Sequence, residues 1–205
     1  MKRHLPTPDQ FFRMAVAFEG GLVLAGLTLG WLMTPPAWEA ARWSAEAVTL
    51  GALWSLPPLV ALVFLRQLRG GAVGRLNQTV DELLVPLFTE LKLWQFVLIS
   101  ALAGIGEELL FRGILQQLLA DWTGAIAAVA MTSLVFGLAH LITPLYGVLA
   151  ALVSVYLGWL FIQYENLAVP MITHAMYDFV ALAYLVRPGN DVCRNRNDKR
   201  SPNDE

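Results

Sequence analysis

Six apolar stretches, each close to the length of a membrane-spanning helix, occupy most of this 205-residue chain. A hydrocarbon core of about 30 Å requires about 20 apolar residues per helix. The stretches run approximately over residues 14–33, 47–65, 93–119, 124–142, 145–162 and 167–186. The connections between the last four are short, which favours tight antiparallel neighbours. We therefore predict an all-α, multi-pass transmembrane helical bundle of about six spans.

The composition agrees with a membrane protein. The chain is 57% hydrophobic and only 15% charged, with a mean hydropathy of +0.55, which is too apolar for an ordinary soluble domain. The formal net charge of -2 and the pI near 5.9 give no reason to expect a nucleic-acid partner. The single cysteine, Cys193, lies in a polar tail, so neither a disulfide framework nor a cysteine metal cluster is expected.

The basic residues predict an orientation, since lysine and arginine are enriched on the cytoplasmic side of membrane proteins. With a cytoplasmic N-terminus, Arg42 falls outside and Arg112 lies within a span, and the rest fall inside. The residues inside are Lys2, Arg3, Arg13, Arg66, Arg69, Arg75, Lys92, Arg187, Arg194, Arg196, Lys199 and Arg200. We predict an integral membrane protein with both termini cytoplasmic, in the inner or plasma membrane if the host is prokaryotic, and membrane lipids as its surroundings.

Two segments between and after the spans differ from them. Residues 76–91 place apolar side chains at helical spacing opposite Asp81, Glu82 and Glu90, which predicts an amphipathic interfacial helix, bent at Pro86. Residues 187–205 mix both charges with Pro, Asn, Asp and Ser, which predicts a flexible polar tail. The chain thus divides into an N-terminal membrane region (1–92), a core (93–186) and the tail.

Three ionisable residues interrupt the third span, in the sequence GIGEELLFRG at residues 104–113. Each charge facing lipid at the centre of a span costs about 2.5 to 3.5 kcal/mol, so these side chains must face protein or water. Glu108 and Arg112 are an i, i+4 pair with the acid first, the better order for an ion pair. Glu107 points about 100° away around the helix and remains available.

Later spans contribute further polar side chains. The fourth holds Phe136 and His140, and the sixth holds His174 and Asp178 at i, i+4 spacing. Ionisable residues inside a membrane are functional by default, so Glu107, His140, His174 and Asp178 are candidates to converge in one site. Phe136 is interpreted as a wall of that site, and Glu19 of the first span as a side chain that snorkels to the cytoplasmic interface.

Three motifs give the chain a family resemblance. EELLFR at 107–112, FGLAH at 136–140 and HAMYD at 174–178 match, in order and spacing, the EExxxR, FxxxH and HxxxN/D motifs of the CPBP intramembrane proteases. That family unites CAAX prenyl proteases with bacteriocin-processing and immunity proteins. The resemblance covers about residues 93–186, which makes this region an intramembrane protease core.

The resemblance implies an intramembrane endopeptidase acting on a membrane-associated protein or peptide. Glu107 with His140 would activate a water as general base, and His174 with Asp178 would stabilise the oxyanion. Glu108, Arg112 and Phe136 would support these residues. An ionised Asp178 cannot donate to an oxyanion, so it is either protonated or orients His174 as a charged donor.

Metal dependence and two other functions stay open at this stage. Zinc is possible, with Glu107, His140, His174 and Asp178 as candidate ligands. Catalysis without a tightly bound cofactor is favoured, and no HExxH motif occurs. The alternatives are a catalytically idle immunity or scaffold protein of the same family and a small proton-coupled transporter. The transporter is expected to show paired broken helices or repeat symmetry, and neither is visible in the sequence.

Overall fold

The computed structural model describes residues 6–186, and this part of the chain is helical, with no strand. Seven helices follow one another. They are α1 (Pro8–Trp31), α2 (Ala45–Gln67), α3 (Gly71–Phe88), α4 (Leu93–Thr123), α5 (Ala125–Ala139), α6 (Pro144–Tyr164) and α7 (Ala168–Leu185). A short 3₁₀ turn, Ala37–Ala40, lies between α1 and α2. The all-α bundle expected from the sequence is confirmed.

Helix boundaries follow local capping signals. Thr7 caps α1 in a reciprocal pair with Gln10, and Pro8 occupies the first helical position. Ser44 and Thr143 accept from backbone N–H groups at the starts of α2 and α6. Gly124, at φ 82°, separates α4 from α5, so a conformation suited to glycine sets the tight connection.

The lengths of the helices define the candidate spans. Helices α1, α2, α6 and α7 are each long and apolar enough to cross a membrane. A fifth candidate is the pair α3 and α4, whose axes bend by 113° at the short break between them. Helix α5 has only 15 residues, about 22 Å at 1.5 Å per residue, which is shorter than a bilayer core. All six predicted stretches are helical, and four to five of them qualify as candidate spans.

Helix α4 lies at the centre of the bundle, between α1 and α7, while α2 packs on α7 and the α5–α6 hairpin covers the second half of α4. Glycines on α4 permit both close approaches. A Cβ at Gly104 would lie 2.7 Å from the carbonyl oxygen of Met171 on α7, and one at Gly106 would lie 3.0 Å from the backbone nitrogen of Val23 on α1. Any larger residue at either position would push a helix away from α4.

The helix predicted over residues 76–91 is present as α3, and its place at the membrane interface stays a prediction. It is irregular at Val80–Leu84, where the backbone forms a π-helical turn just before Pro86. Proline has no N–H to donate to the preceding turn, which accounts for an irregularity at this place. Arg66 at the end of α2 holds α3 through Asp81, with Nη2 2.6 Å from Oδ1.

The predicted flexible tail, residues 187–205, lies outside the described residues, as do Cys193 and the terminal basic residues Lys2 and Arg3.

Candidate active site

Both glutamates of α4 lie inside the protein. Glu107 is 7% exposed and Glu108 is completely buried, at the end of a regular helical segment, Leu93–Glu108. The next eight residues, Leu109–Gln116, form π-helical turns, a geometry that is rare and concentrates at functional sites. Glu107 and Glu108 thus stand at the point where the backbone of α4 widens.

The Glu108–Arg112 ion pair predicted from the spacing is present. Arg112 Nη1 donates to Glu108 Oε1 at 2.9 Å, and both side chains are about 1% exposed or less. The guanidinium also donates from Nη2 to the carbonyl oxygen and the hydroxyl of Ser154 on α6, at 2.7 and 2.8 Å. These bonds compensate the desolvation of two buried charges and fix α6 against α4.

His174 is oriented by Glu108. Its Nδ1 lies 2.8 Å from Glu108 Oε1, and because that oxygen also accepts from Arg112, the imidazole Nδ1–H is the donor. The other ring nitrogen, Nε2, therefore faces away from Glu108. It lies 3.5 Å from Asp178 Oδ2 and 3.9 Å from Glu107 Oε2. Arg112, Glu108 and His174 form one continuous buried chain of polar contacts.

His140 approaches Glu107 from the other side. Its Nδ1 lies 2.8 Å from the carbonyl oxygen of Phe136, which can only accept, so Nδ1 carries the proton of the neutral ring. Its Nε2 lies 3.8 Å from Glu107 Oε1. Both imidazoles thus turn Nε2 toward Glu107 at distances longer than a direct hydrogen bond.

Phe136 is the wall between these groups. Its ring stacks on His140, with 4.2 Å between centroids and 17° between planes. The His174 ring is in an edge arrangement, with 6.3 Å between the two centroids. The Arg112 guanidinium carbon lies 5.3 Å from the centroid of the same ring. One aromatic ring therefore fixes the position of His140 and excludes solvent from the buried cation.

The structure brings all four candidate side chains together. Glu107 from α4, His140 from the end of α5, and His174 and Asp178 from α7 surround one space, with Asp178 the most exposed at 31% of its side chain. Within residues 6–186, no group of three or more His, Cys, Asp or Glu side chains is arranged to hold a metal ion. Zinc binding by Glu107, His140, His174 and Asp178 therefore stays a hypothesis from the sequence.

Two residues at the site were not recognised from the sequence. Ser154 lies in the apolar stretch of α6, where a single serine is unremarkable by composition, and only its contact with Arg112 reveals its place. Glu19 does not snorkel to the interface. Its Oε2 is buried, and the residue interacts electrostatically with Asp178 and His174. A carboxylate within a span was the available signal. The expectation missed that α1 packs on α4 beside this residue, where a Cβ at Gly106 would lie 3.2 Å from the Glu19 carbonyl oxygen.

The fold and the site together define a class of protein. An apolar helical bundle that encloses a buried glutamate between two histidines, beside a carboxylate and a charge-compensated arginine, has the composition of an intramembrane hydrolase centre. It is an integral membrane protein. The groups present are those needed to activate a water and to stabilise a developing negative charge.

A comparison with protein families identifies the particular family. Residues 89–180 match the family model described as "Type II CAAX prenyl endopeptidase Rce1-like". This segment, which holds all three motifs, is thus similar to the CPBP family of CAAX-protease-like intramembrane endopeptidases, and the resemblance found in the three motifs is confirmed. The resemblance implies a membrane-associated protein or peptide substrate. No curated protein and no solved structure matches the chain.

Proposed function

We propose that this protein hydrolyses a peptide bond of a membrane-associated protein or peptide by means of a water that Glu107 activates. The observation that carries this proposal is the position of Glu107. Its Oε1 lies 3.8 Å from His140 Nε2 and its Oε2 lies 3.9 Å from His174 Nε2, so the carboxylate is held between two imidazoles without a direct bond to either.

The tautomer of His140 supports the activation step. Since Nδ1–H of His140 donates to Phe136, Nε2 of the neutral ring is an acceptor. An acceptor and a carboxylate that face each other need a donor between them, and a water supplies one proton to each. That water is polarised by both groups and can transfer a proton to Glu107 as its oxygen attacks the scissile carbonyl.

His174 and Asp178 are suited to the opposite task. Glu108 accepts from Nδ1 of His174, so in the imidazolium form the Nε2–H is free to donate to the oxyanion of the tetrahedral intermediate. Asp178 Oδ2, 3.5 Å from this nitrogen, lies beside the same position. Glu108, Arg112 and Ser154 position His174 and have no role in bond making.

Cleavage of a defined substrate tests the proposal. The parent protein, purified in detergent, is incubated with membrane-anchored peptides in water enriched in ¹⁸O, and the products are identified by mass spectrometry. Hydrolysis places one heavy oxygen on each new carboxyl terminus. Glu107→Gln should be folded and inserted like the parent and should give no product. Equal cleavage by this variant and the parent would remove Glu107 as the base.

The same samples test the other functions. An idle scaffold or immunity protein would cleave no peptide and would be unaffected by Glu107→Gln. A transporter would instead show proton-coupled flux in liposomes that the variant abolishes. Comparison of membrane and secreted peptides from cells with and without the protein would then identify the natural substrate, including whether it is prenylated.

A further inference from the structure

Glu19 on α1 is close to the site although it lies outside the segment that matches the family. Helix α1 crosses α4 at Gly106, where an added Cβ would lie 3.2 Å from the carbonyl oxygen of Glu19. Gly106 directly precedes Glu107 in the sequence. The backbone of Glu19 is thus in contact with the turn that presents the proposed base.

The side chain of Glu19 extends into the same interior. Its Oε2 is buried and has no hydrogen-bond partner among the described residues. Glu19 interacts electrostatically with Asp178 and His174 on α7 and with Glu107 on α4. Oε2 of Glu107, whose side chain is 9% exposed, is likewise without a hydrogen-bond partner. Two buried carboxyl oxygens, one on α1 and one on α4, are therefore without a hydrogen-bond partner among the described residues.

Repulsion between the buried carboxylates indicates which of them carries a proton. Glu107 and Asp178 lie 3.9 and 3.5 Å from His174 Nε2, and Glu19 interacts electrostatically with the same group of residues. Three ionised carboxylates in a low-dielectric interior would repel one another strongly. Glu107 and Asp178 each have an imidazole nitrogen within 4 Å. Glu19 has no such contact in the described part of the chain, and Arg13, six residues earlier, pairs with Asp9 in an exposed position. Of the three carboxyl groups, Glu19 is therefore the one to which we assign a proton.

We propose that Glu19 is the general acid that protonates the leaving amine, which makes α1 part of the active site. This inference rests on the proposed hydrolysis. Glu107 takes a proton from water as the C–O bond forms, and the electron pair of the carbonyl moves to the oxyanion. When the intermediate collapses, the C–N bond breaks and the nitrogen takes the proton of the Glu19 carboxyl group. The proton on Glu107 then passes to Glu19, and the net reaction consumes one water per peptide bond.

The dependence on the leaving group tests this role. An amine must be protonated to leave, whereas the phenolate of an activated aryl ester leaves without a proton. Two substrates are compared that differ only in the scissile bond, one an amide and one an aryl ester. Glu19→Gln keeps the size and polarity of the side chain but cannot give up a proton. It should lower the ratio of amide to ester turnover about 100-fold or more, in the range usual for general acid catalysis.

Controls separate this role from a structural one. The ratio of two rates measured on one sample does not depend on the folded fraction, so Glu19→Gln and Glu19→Met are both informative even if they destabilise the protein. Asp9→Asn removes an exposed carboxylate of the same helix and should leave both rates unchanged. Glu107→Gln should abolish both.

An unchanged amide-to-ester ratio in the Glu19 variants would overturn the role of Glu19 and leave the proposed hydrolysis intact. A parent protein that cleaves neither substrate would instead count against the hydrolysis itself.

Discussion

His174 Nδ1 donates to Glu108 Oε1 across 2.8 Å, between α7 and α4. The sequence predicts that Glu108 neutralises Arg112 and supports the site, and this bond between helices shows the contact through which it does so. Because the Glu108 carboxylate is held by the buried Arg112 guanidinium, its bond to His174 fixes the imidazole of the proposed oxyanion site. The two adjacent glutamates of α4 therefore have different tasks, which mutagenesis can separate.

Glu107→Gln and Glu108→Gln should have different effects on stability. Glu107→Gln should abolish cleavage with little change in unfolding, since Glu107 has no close ion pair. Glu108→Gln leaves a buried Arg112 without its counter-charge and should cost about 3 to 5 kcal/mol of stability, with loss of activity. Thermal unfolding in detergent and turnover on the same samples check both statements. Comparable destabilisation by the two variants would contradict the division of roles.

Ser154→Ala isolates the hydrogen bond from Arg112 Nη2 to the serine hydroxyl, at 2.8 Å. The bond to the Ser154 carbonyl remains, so we expect a loss of about 1.5 to 3 kcal/mol, the usual value for a hydrogen bond to a charged group. Ser133→Ala is a matched control, because that buried hydroxyl has no hydrogen-bond partner. Measured free energies of unfolding should differ between the two variants. Equal values would show that the Ser154 hydroxyl does not stabilise the guanidinium.

The orientation predicted from the basic residues is open to a direct test. A reporter fused after residue 40 should lie outside the membrane, and reporters fused after residues 80 and 195 should lie on the cytoplasmic side. Contacts within the bundle agree with the order of the spans, since the Arg42 backbone N–H donates to Asn166 Oδ1 and its guanidinium to the Glu165 carbonyl. This places the α1–α2 and α6–α7 connections at the same end, as an even number of intervening spans requires. A reporter outside the cell membrane at residue 195 would contradict both the six-span arrangement and its orientation.

Sequence reasoning predicted the local features better than the contacts between helices. Hydropathy identified every long helix, and i, i+4 spacing identified the Glu108–Arg112 pair, because both patterns depend on residues close together in the chain. The bond from His174 to Glu108 depends on which faces of α4 and α7 meet, and spacing along one helix carries no information about that. The inward position of Glu19 and the contact of Ser154 follow from the same interhelical packing.

The four to five candidate spans are roughly compatible with the predicted number of about six, and the clearest difference lies at α5. Helix α5 runs from Ala125 to Ala139 and is therefore shorter than the predicted stretch 124–142. His140, which directly follows the last residue of α5, leaves the helix with φ -101° and ψ 20°, and its ring lies against Phe136 with Nε2 3.8 Å from Glu107. A hydropathy pattern does not show where a helix ends early to position a side chain.

The last prediction concerns Asp178, where the family pattern HxxxN/D admits either an acid or an amide. Asp178→Asn keeps the shape of the side chain and supplies a hydrogen-bond donor beside His174 Nε2, so it should retain activity within about tenfold of the parent. Asp178→Ala removes the polar group and should lower turnover about 100- to 1000-fold, the usual effect of deleting one oxyanion donor.

Turnover is measured in detergent for the parent and both variants, and zinc is determined on the same samples. We expect no stoichiometric zinc in any of them and no loss of turnover after dialysis against a chelator. An Asn variant as inactive as Ala, with unchanged folding, would show that the negative charge of Asp178 is required, and a parallel fall in bound zinc would show that it is a metal ligand.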